Sequence, residues 1–162
     1  MAKNTNDLIY LSQDTLDRYK EEYNNLINVE RPAVQAALKE ARAQGDLSEN
    51  AEYDAARERQ SIVEGRIHEL ESILERAHLI ESDNKRTISN KAGIGSLVRY
   101  LNLKTNEERE VRIMGMHDSN PLENKISNES PVAQAIMEAE IGEEVEVEVP
   151  NKYSIKIISI EN

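Results

Sequence analysis

Gly45-Asp46-Leu47-Ser48-Glu49-Asn50-Ala51 separates two long stretches of helical period. Gly45 suits the left-handed residue that ends a helix. A link this short forces the helices on either side of it to run antiparallel. The link also places two carboxylates, Asp46 and Glu49, where the hairpin turns. A slender acidic tip makes little sense as a core element. It makes sense as something inserted into another body.

On the C-terminal side of the turn, Tyr53, Ala56, Gln60, Val63, Ile67, Leu70, Leu74 and Ala77 recur at alternating steps of three and four. That rhythm predicts a heptad seam along one long helix, with Glu58, Arg59, Glu64, Arg66, Glu69, Glu71 and Glu75 on the other faces. On the N-terminal side, from about Gln13 to Ala43, the same rhythm runs through Leu16, Tyr19, Tyr23 and Leu26 and predicts Ala33 and Ala37 next. Ser12 or Asp14 can cap this helix. Pro32 lacks a backbone donor and clashes with the preceding turn, so a kink or break is expected there. Alanines gather toward the turn (Ala33, Ala36, Ala37, Ala41, Ala43, Ala51, Ala55, Ala56), which predicts close helix approach and a thin distal half. Tyr53 to Ala77 makes an arm of roughly 35 Å. Gly65, in mid-helix, has no explanation at this level.

Beyond the hairpin the period changes. Residues 81–92 are polar and read as a linker. Ser96–Leu101, Glu110–Met114, Val145–Val149 and Tyr153–Ile160 alternate with period two, as half-buried strands do. Pro131 to Glu140 reads as a helix with proline in its first turn and Gly142 after its end. The expected fold is α+β: a helical hairpin over 1–80, the linker, and a small domain over 93–162.

Composition narrows the function. The 162 residues are only 38% apolar and 4% aromatic, too lean for one large core. The net charge of -11 argues against a free-standing nucleic-acid binder, which must displace counterions from phosphates. An acidic chain can still act on nucleic acid inside a basic partner. There is no cysteine, hence no disulfide and no thiolate metal site. No signal-peptide pattern and no apolar run of about 20 residues is visible, so a soluble cytoplasmic protein is expected.

The tip has two readings. Asp46-x-x-Glu49 resembles a capping box, and acids favour helix N-termini. The pair can equally be half of a cation site. Mg²⁺ takes hard oxygen ligands, often only one or two of them protein carboxylates. Arg42 and Arg57 flank the tip, as solvated salt-bridging residues or as phosphate contacts. His68, His78 and His117 have no metal-like spacing. No nucleophile elbow, P-loop or dinucleotide fingerprint is present.

These residues resemble a known family. Ala41-Arg42, Gly45 through Tyr53, and Ala55-Ala56-Arg57-Glu58 are similar to the tip signature of the bacterial Gre transcript cleavage factors. Arg31-Pro32 upstream and Glu64-Gly65-Arg66-Ile67 downstream fall at the family's distances. Ile126-Ser127, Ser130-Pro131-Val132-Ala133 and Ile141-Gly142 resemble its C-terminal domain. The Leu47-Ser48-Glu49 form of the tip is nearer the GreA branch than the GreB branch. The resemblance covers nearly the whole chain, and the tip motif is long and ungapped.

The resemblance implies a protein that binds bacterial RNA polymerase stalled by backtracking and inserts its coiled coil into the secondary channel. Asp46 and Glu49 would then help hold the second Mg²⁺ in the polymerase active centre, the chain binding none stably alone. The polymerase itself would hydrolyse the 3′ end of the backtracked RNA. Arg42 and Arg57 match a basic patch beside that RNA. The C-terminal domain would be FKBP-like and dock on the polymerase rim near Ser130 and Pro131. A monomer is expected, without membrane attachment. Two segments depart from the family pattern: Gly115–Pro121, where acids are usual, and Val149–Lys152, which lacks a glycine. Competing readings are an inhibitory channel binder, a prolyl isomerase or holdase, and a plain structural coiled coil. An isomerase pocket is hard to line with only Tyr100 and Tyr153 in this half.

Overall fold

The computed structural model describes residues 8–46, 50–80 and 90–162. They form two compact units: Leu16–Ala77, and the described residues of Met1–Thr15 with those of His78–Asn162.

The first unit takes in helix α1 (Gln13–Asn25) from Leu16 onward, a π turn (Leu26–Glu30), α2 (Arg31–Ala43) and α3 (Ala51–Arg76). Cross-links show that α3 returns antiparallel. Glu22 pairs with Arg66, Glu30 with Arg59, Arg31 with Glu64, and the Ala41 carbonyl with the Asn50 amide, so the partners run from 66 back to 50 as the chain advances from 22 to 41. Val34, Leu38, Ala56, Val63 and Ile67 fill the seam, with Tyr23, Leu26, Ile27 and Tyr53 packed against them. Along α3 the expected stripe is largely realised, with Ala56, Val63, Ile67 and Leu70 buried. Ile73 is also buried while Leu74 is half-buried. A straight helix lags a seven-residue repeat by about 20° per heptad, which brings flanking positions inward.

The other strand of the hairpin departs from the expectation. Ala33 and Ala37 are exposed, and Val34 and Leu38 are buried in their place. The π turn is the cause. The Arg31 N–H bonds to the Leu26 carbonyl, five residues back rather than four. The wider turn consumes one more residue, so every seam position beyond it comes one residue late. Pro32 follows at once. Its ring would collide with the carbonyl four residues back in a regular helix. The break expected at Pro32 therefore takes the form of a widened turn just before it. Of the alanines near the tip, Ala41 and Ala56 are buried; Ala33, Ala36, Ala37, Ala43, Ala51 and Ala55 face solvent. A Cβ at Gly65 would meet nothing within 4 Å, and nothing in the structure explains the glycine.

Two forked ion pairs hold the hairpin in register. Arg66 donates to both Glu22 oxygens at 2.6 and 2.9 Å, and Arg31 to both Glu64 oxygens at 2.7 and 2.6 Å. The hydrogen bond from Arg66 holds the Glu22 carboxyl below its ordinary range, and that from Arg31 does the same for Glu64. Carboxyls depressed in the folded state contribute stability above their unfolded pKa and lose it as pH falls through the folded values. Hairpin helicity is thus expected to hold from neutral pH down to roughly pH 5 and to loosen below the ordinary value of 4.5. Far-ultraviolet circular dichroism across an acid titration checks this. Equal loss between pH about 7 and 5 would contradict it.

The second unit holds a two-stranded sheet, β1 (Ile9–Leu11) with β2 (Ala77–Leu79), and a five-stranded sheet. The larger sheet contains β3 (Leu97–Asn102), β4 (Glu107–Met114), β5 (Lys125–Ser127), β6 (Glu144–Val147) and β7 (Tyr153–Glu161) in the order β5-β4-β3-β7-β6. Pairing is antiparallel except for β4 with β5. Alternation puts Val98 and Tyr100, Val111 and Ile113, and Ile155 and Ile157 on one face. They pack with Ala133, Ile136 and Ala139, in and just beyond helix α4 (Pro131–Glu138), to make the core. The α+β fold and its four expected strands are present. β1, β2 and β5 were not expected, being three residues each, too short to display a period.

Gly115 is buried where β1 crosses it. A Cβ there would lie 2.0 Å from the Tyr10 carbonyl oxygen and 3.2 Å from Tyr10 Cβ. Backbone cannot yield as a flexible side chain does. Gly115→Ala is expected to cost about 1–3 kcal/mol. Calorimetry should show that loss as a lowered melting transition, and an unchanged transition would mean β1 shifts freely.

Candidate functional site: the turn of the hairpin

The turn is assembled from both helix ends. At the end of α2 the Gln44 N–H donates to the Ala41 carbonyl at 3.3 Å. Gly45 follows at φ +111°, a left-handed conformation that side chains disfavour. Asp46 comes next and is exposed. Leu47, Ser48 and Glu49 lie outside the described residues, so the expectation for Glu49 stands on sequence.

The chain resumes at Asn50, which caps α3. Its Oδ1 accepts from the N–H groups of Glu52 and Tyr53, each at 3.1 Å. Its Nδ2 donates to the Ala41 carbonyl at 2.8 Å. One side chain therefore satisfies donors at the start of α3 and an acceptor at the end of α2, holding the two ends of the turn together. Sequence reasoning quoted Asn50 without assigning it a role. The available signal was an asparagine, among the best N-cap residues, directly before a helical run. With Asn50 as the cap, the Asp46-x-x-Glu49 spacing is not the capping box of α3, because the box's acid would have to stand at position 53.

Of the two arginines expected beside the tip, Arg42 stands over Tyr53. The Arg42 guanidinium carbon lies 5.8 Å from the Tyr53 ring centroid. Stacking on an aromatic face is worth about 0.5–1 kcal/mol at exposed sites. Arg57 is exposed and one turn beyond Tyr53 on α3, so the pair are neighbours at i and i+4. The turn thus carries a carboxylate at its end and cationic groups on its shoulder. Among the described residues no three His, Asp or Glu side chains come together as a metal site.

In the second unit, Ser130 caps α4, its hydroxyl accepting from the Ala133 N–H at 3.2 Å. Pro131 occupies the first turn and is exposed. His78 stands edge-on to Tyr10, ring centroids 5.5 Å apart, a packing role. Among the described residues, no helix is long and apolar enough to cross a membrane.

Comparison with known proteins accounts for both units. Residues 9–79 match a family model described as transcription elongation factor, N-terminal, and residues 87–162 match one described as transcription elongation factor, GreA/GreB, C-term. A Mycoplasmopsis agalactiae protein named transcription elongation factor GreA is 70% identical over 99% of this chain and 98% of its own length. A Mycoplasmopsis pulmonis protein of the same name is 53% identical over 94% of each. Among solved structures, GreA factor homolog 1 of Thermus thermophilus aligns over 96% of this chain and 99% of its own, with 22% identity and a TM-score of 0.43.

Proposed function

Because this chain belongs to the GreA/GreB family of transcription elongation factors, we propose that it binds backtracked RNA polymerase and stimulates the polymerase's own hydrolysis of the RNA 3′ end. It acts as a cofactor of that reaction and is not itself the enzyme. The observation that carries this reading is the exposed Asp46, placed directly after the helix-ending Gly45 on a turn tied from both sides by Asn50. A functional group is positioned best when the elements beneath it are fixed by their own hydrogen bonds.

The donor set suits Mg²⁺. Asp46 and Glu49 offer hard carboxylate oxygens, and two are too few for an octahedral shell, so the polymerase, RNA phosphate and water would supply the rest. When bound there, the second Mg²⁺ stabilises charge on the leaving oxygen during in-line displacement. The chain's own contribution is to bring anionic oxygen to a fixed point. Arg42 and Arg57 would sit against phosphates of the extruded RNA. Arg42 already stands over the Tyr53 ring on that shoulder. The hairpin enters the secondary channel, and the second unit docks on the polymerase rim through the Ser130-Pro131 region. The seam is filled from within one chain, which supports a monomer, and the chain works in the cytoplasm, where its polymerase is.

The test uses backtracked elongation complexes carrying labelled RNA, with Mg²⁺ and the purified chain. Rapid release of short 3′ fragments is expected, lost in the Asp46→Ala, Glu49→Ala double variant. Polymerase binding without release by the unaltered protein would replace this reading with that of an inhibitory channel binder.

A further inference from the structure

The segment Gly115–Asp118, where this chain departs from the acidic run usual in the family, makes contacts the proposed function does not use. The Asp118 carboxylate accepts three hydrogen bonds from the start of α1: Ser12 N–H at 2.8 Å, Ser12 hydroxyl at 2.5 Å and Thr15 hydroxyl at 2.6 Å. Ser12 in turn accepts from the Thr15 N–H at 3.3 Å, which makes it the cap of α1. Thr15 is one of only two buried polar side chains among the described residues. Three residues earlier in the second segment, Gly115 has no Cβ, and Tyr10 passes where one would stand. The Asp118 N–H bonds back to the Gly115 carbonyl at 3.1 Å, so the two contacts belong to one short turn.

We propose that Gly115 and Asp118 form a clasp that fixes strand β1 and the start of α1 to the β-sheet of their own unit, and that Asp118 is a positioning residue for transcript cleavage. The chemistry favours such a fixture. Charge-assisted hydrogen bonds are roughly twice as strong as neutral ones. A carboxylate beside a helix N-terminus also has the favourable sign for the helix dipole. Helix α1 is the covalent route by which the acidic turn is carried. A frayed first turn would loosen the root of the helix that leads to the tip, and small misplacements of a reacting group are costly. The segment then serves the chain internally instead of contacting the polymerase. This role rests on the cleavage reading above.

The test compares the full chain with Asp118→Ala, Thr15→Val and the double variant in two measurements. Hydrogen exchange reads the Ser12 amide against the amides of β3. Fragment release from backtracked complexes is followed across factor concentrations. Asp118→Ala is expected to speed Ser12 exchange by about tenfold or more and leave β3 unchanged. Maximal release should fall severalfold while the half-saturating concentration hardly moves, and adding Thr15→Val should change little more. Faster Ser12 exchange with an unaltered maximal rate would make the clasp merely structural and overturn the proposal. Unaltered exchange would overturn the clasp itself. A higher half-saturating concentration at full maximal rate would mark Asp118 as a docking residue and overturn it too. If the unaltered chain releases no fragment, the cleavage reading fails and the role of Asp118 in it falls, while the exchange measurement still decides the clasp.

Discussion

Asp46→Asn is expected to leave polymerase binding intact and to lower fragment release by about 100-fold, the upper end of what losing one supporting group costs at a metal site. Asparagine keeps the size of the side chain and its ability to accept a hydrogen bond. It removes the negative charge and leaves a neutral carbonyl oxygen, which holds a hard divalent cation less tightly. Asp46 is exposed and off the seam, so the variant should fold normally. A lost ligand weakens ion retention, and raising Mg²⁺ should therefore recover part of the rate. The measurement is release at saturating factor over a Mg²⁺ series, with competition binding as the control. Full release by the variant would remove Asp46 from the mechanism and leave it a turn residue.

The next largest effect concerns stability. Ile67 and Ile62 stand on the same helix, one 0% and the other 66% exposed. Ile67→Ala is expected to cost about 2–5 kcal/mol, because it removes buried methyl groups and leaves a cavity between helices that cannot fully close. Ile62→Ala should fall within about 0.5 kcal/mol of no change, as surface substitutions do. Urea unfolding of the hairpin, followed by circular dichroism, separates the two. Comparable losses would mean that the outer face of α3 is covered in solution.

The parts of this structure legible beforehand are those with a long period. The α3 stripe needs no tertiary information, because Val63, Ile67 and Leu70 define one face wherever the helix lies. The same holds for Val98 with Tyr100 and for Ile155 with Ile157 in the sheet. What escaped were features made by a single residue or a distant pair. One extra residue in the turn before Pro32 shifted the seam from Ala33 and Ala37 to Val34 and Leu38. Periodicity assumes a constant turn, so it carries no record of such a change. Strand β5 depends on a parallel partner in β4, and the Asp118 contacts join positions 103 and 106 residues apart. At the tip, sequence singled out the acids, Arg42 and Arg57. It passed over Asn50, whose bridging role requires knowing that Ala41 lies within reach.

The π turn carries a consequence for how this arm can vary. A surplus residue in a coiled coil would ordinarily throw all positions beyond it onto the wrong face. Here the surplus is absorbed within Leu26–Glu30, and the ion pairs Glu30–Arg59 and Arg31–Glu64 re-establish the pairing immediately after it. The turn works like an expansion joint in a rail. The near span ends with one residue to spare, and the far span still meets α3 through Val34 and Leu38. The register of the span that leads to Asp46 is thereby set at the joint, by Glu30 and Arg31, and not by the count of residues from the root of the hairpin.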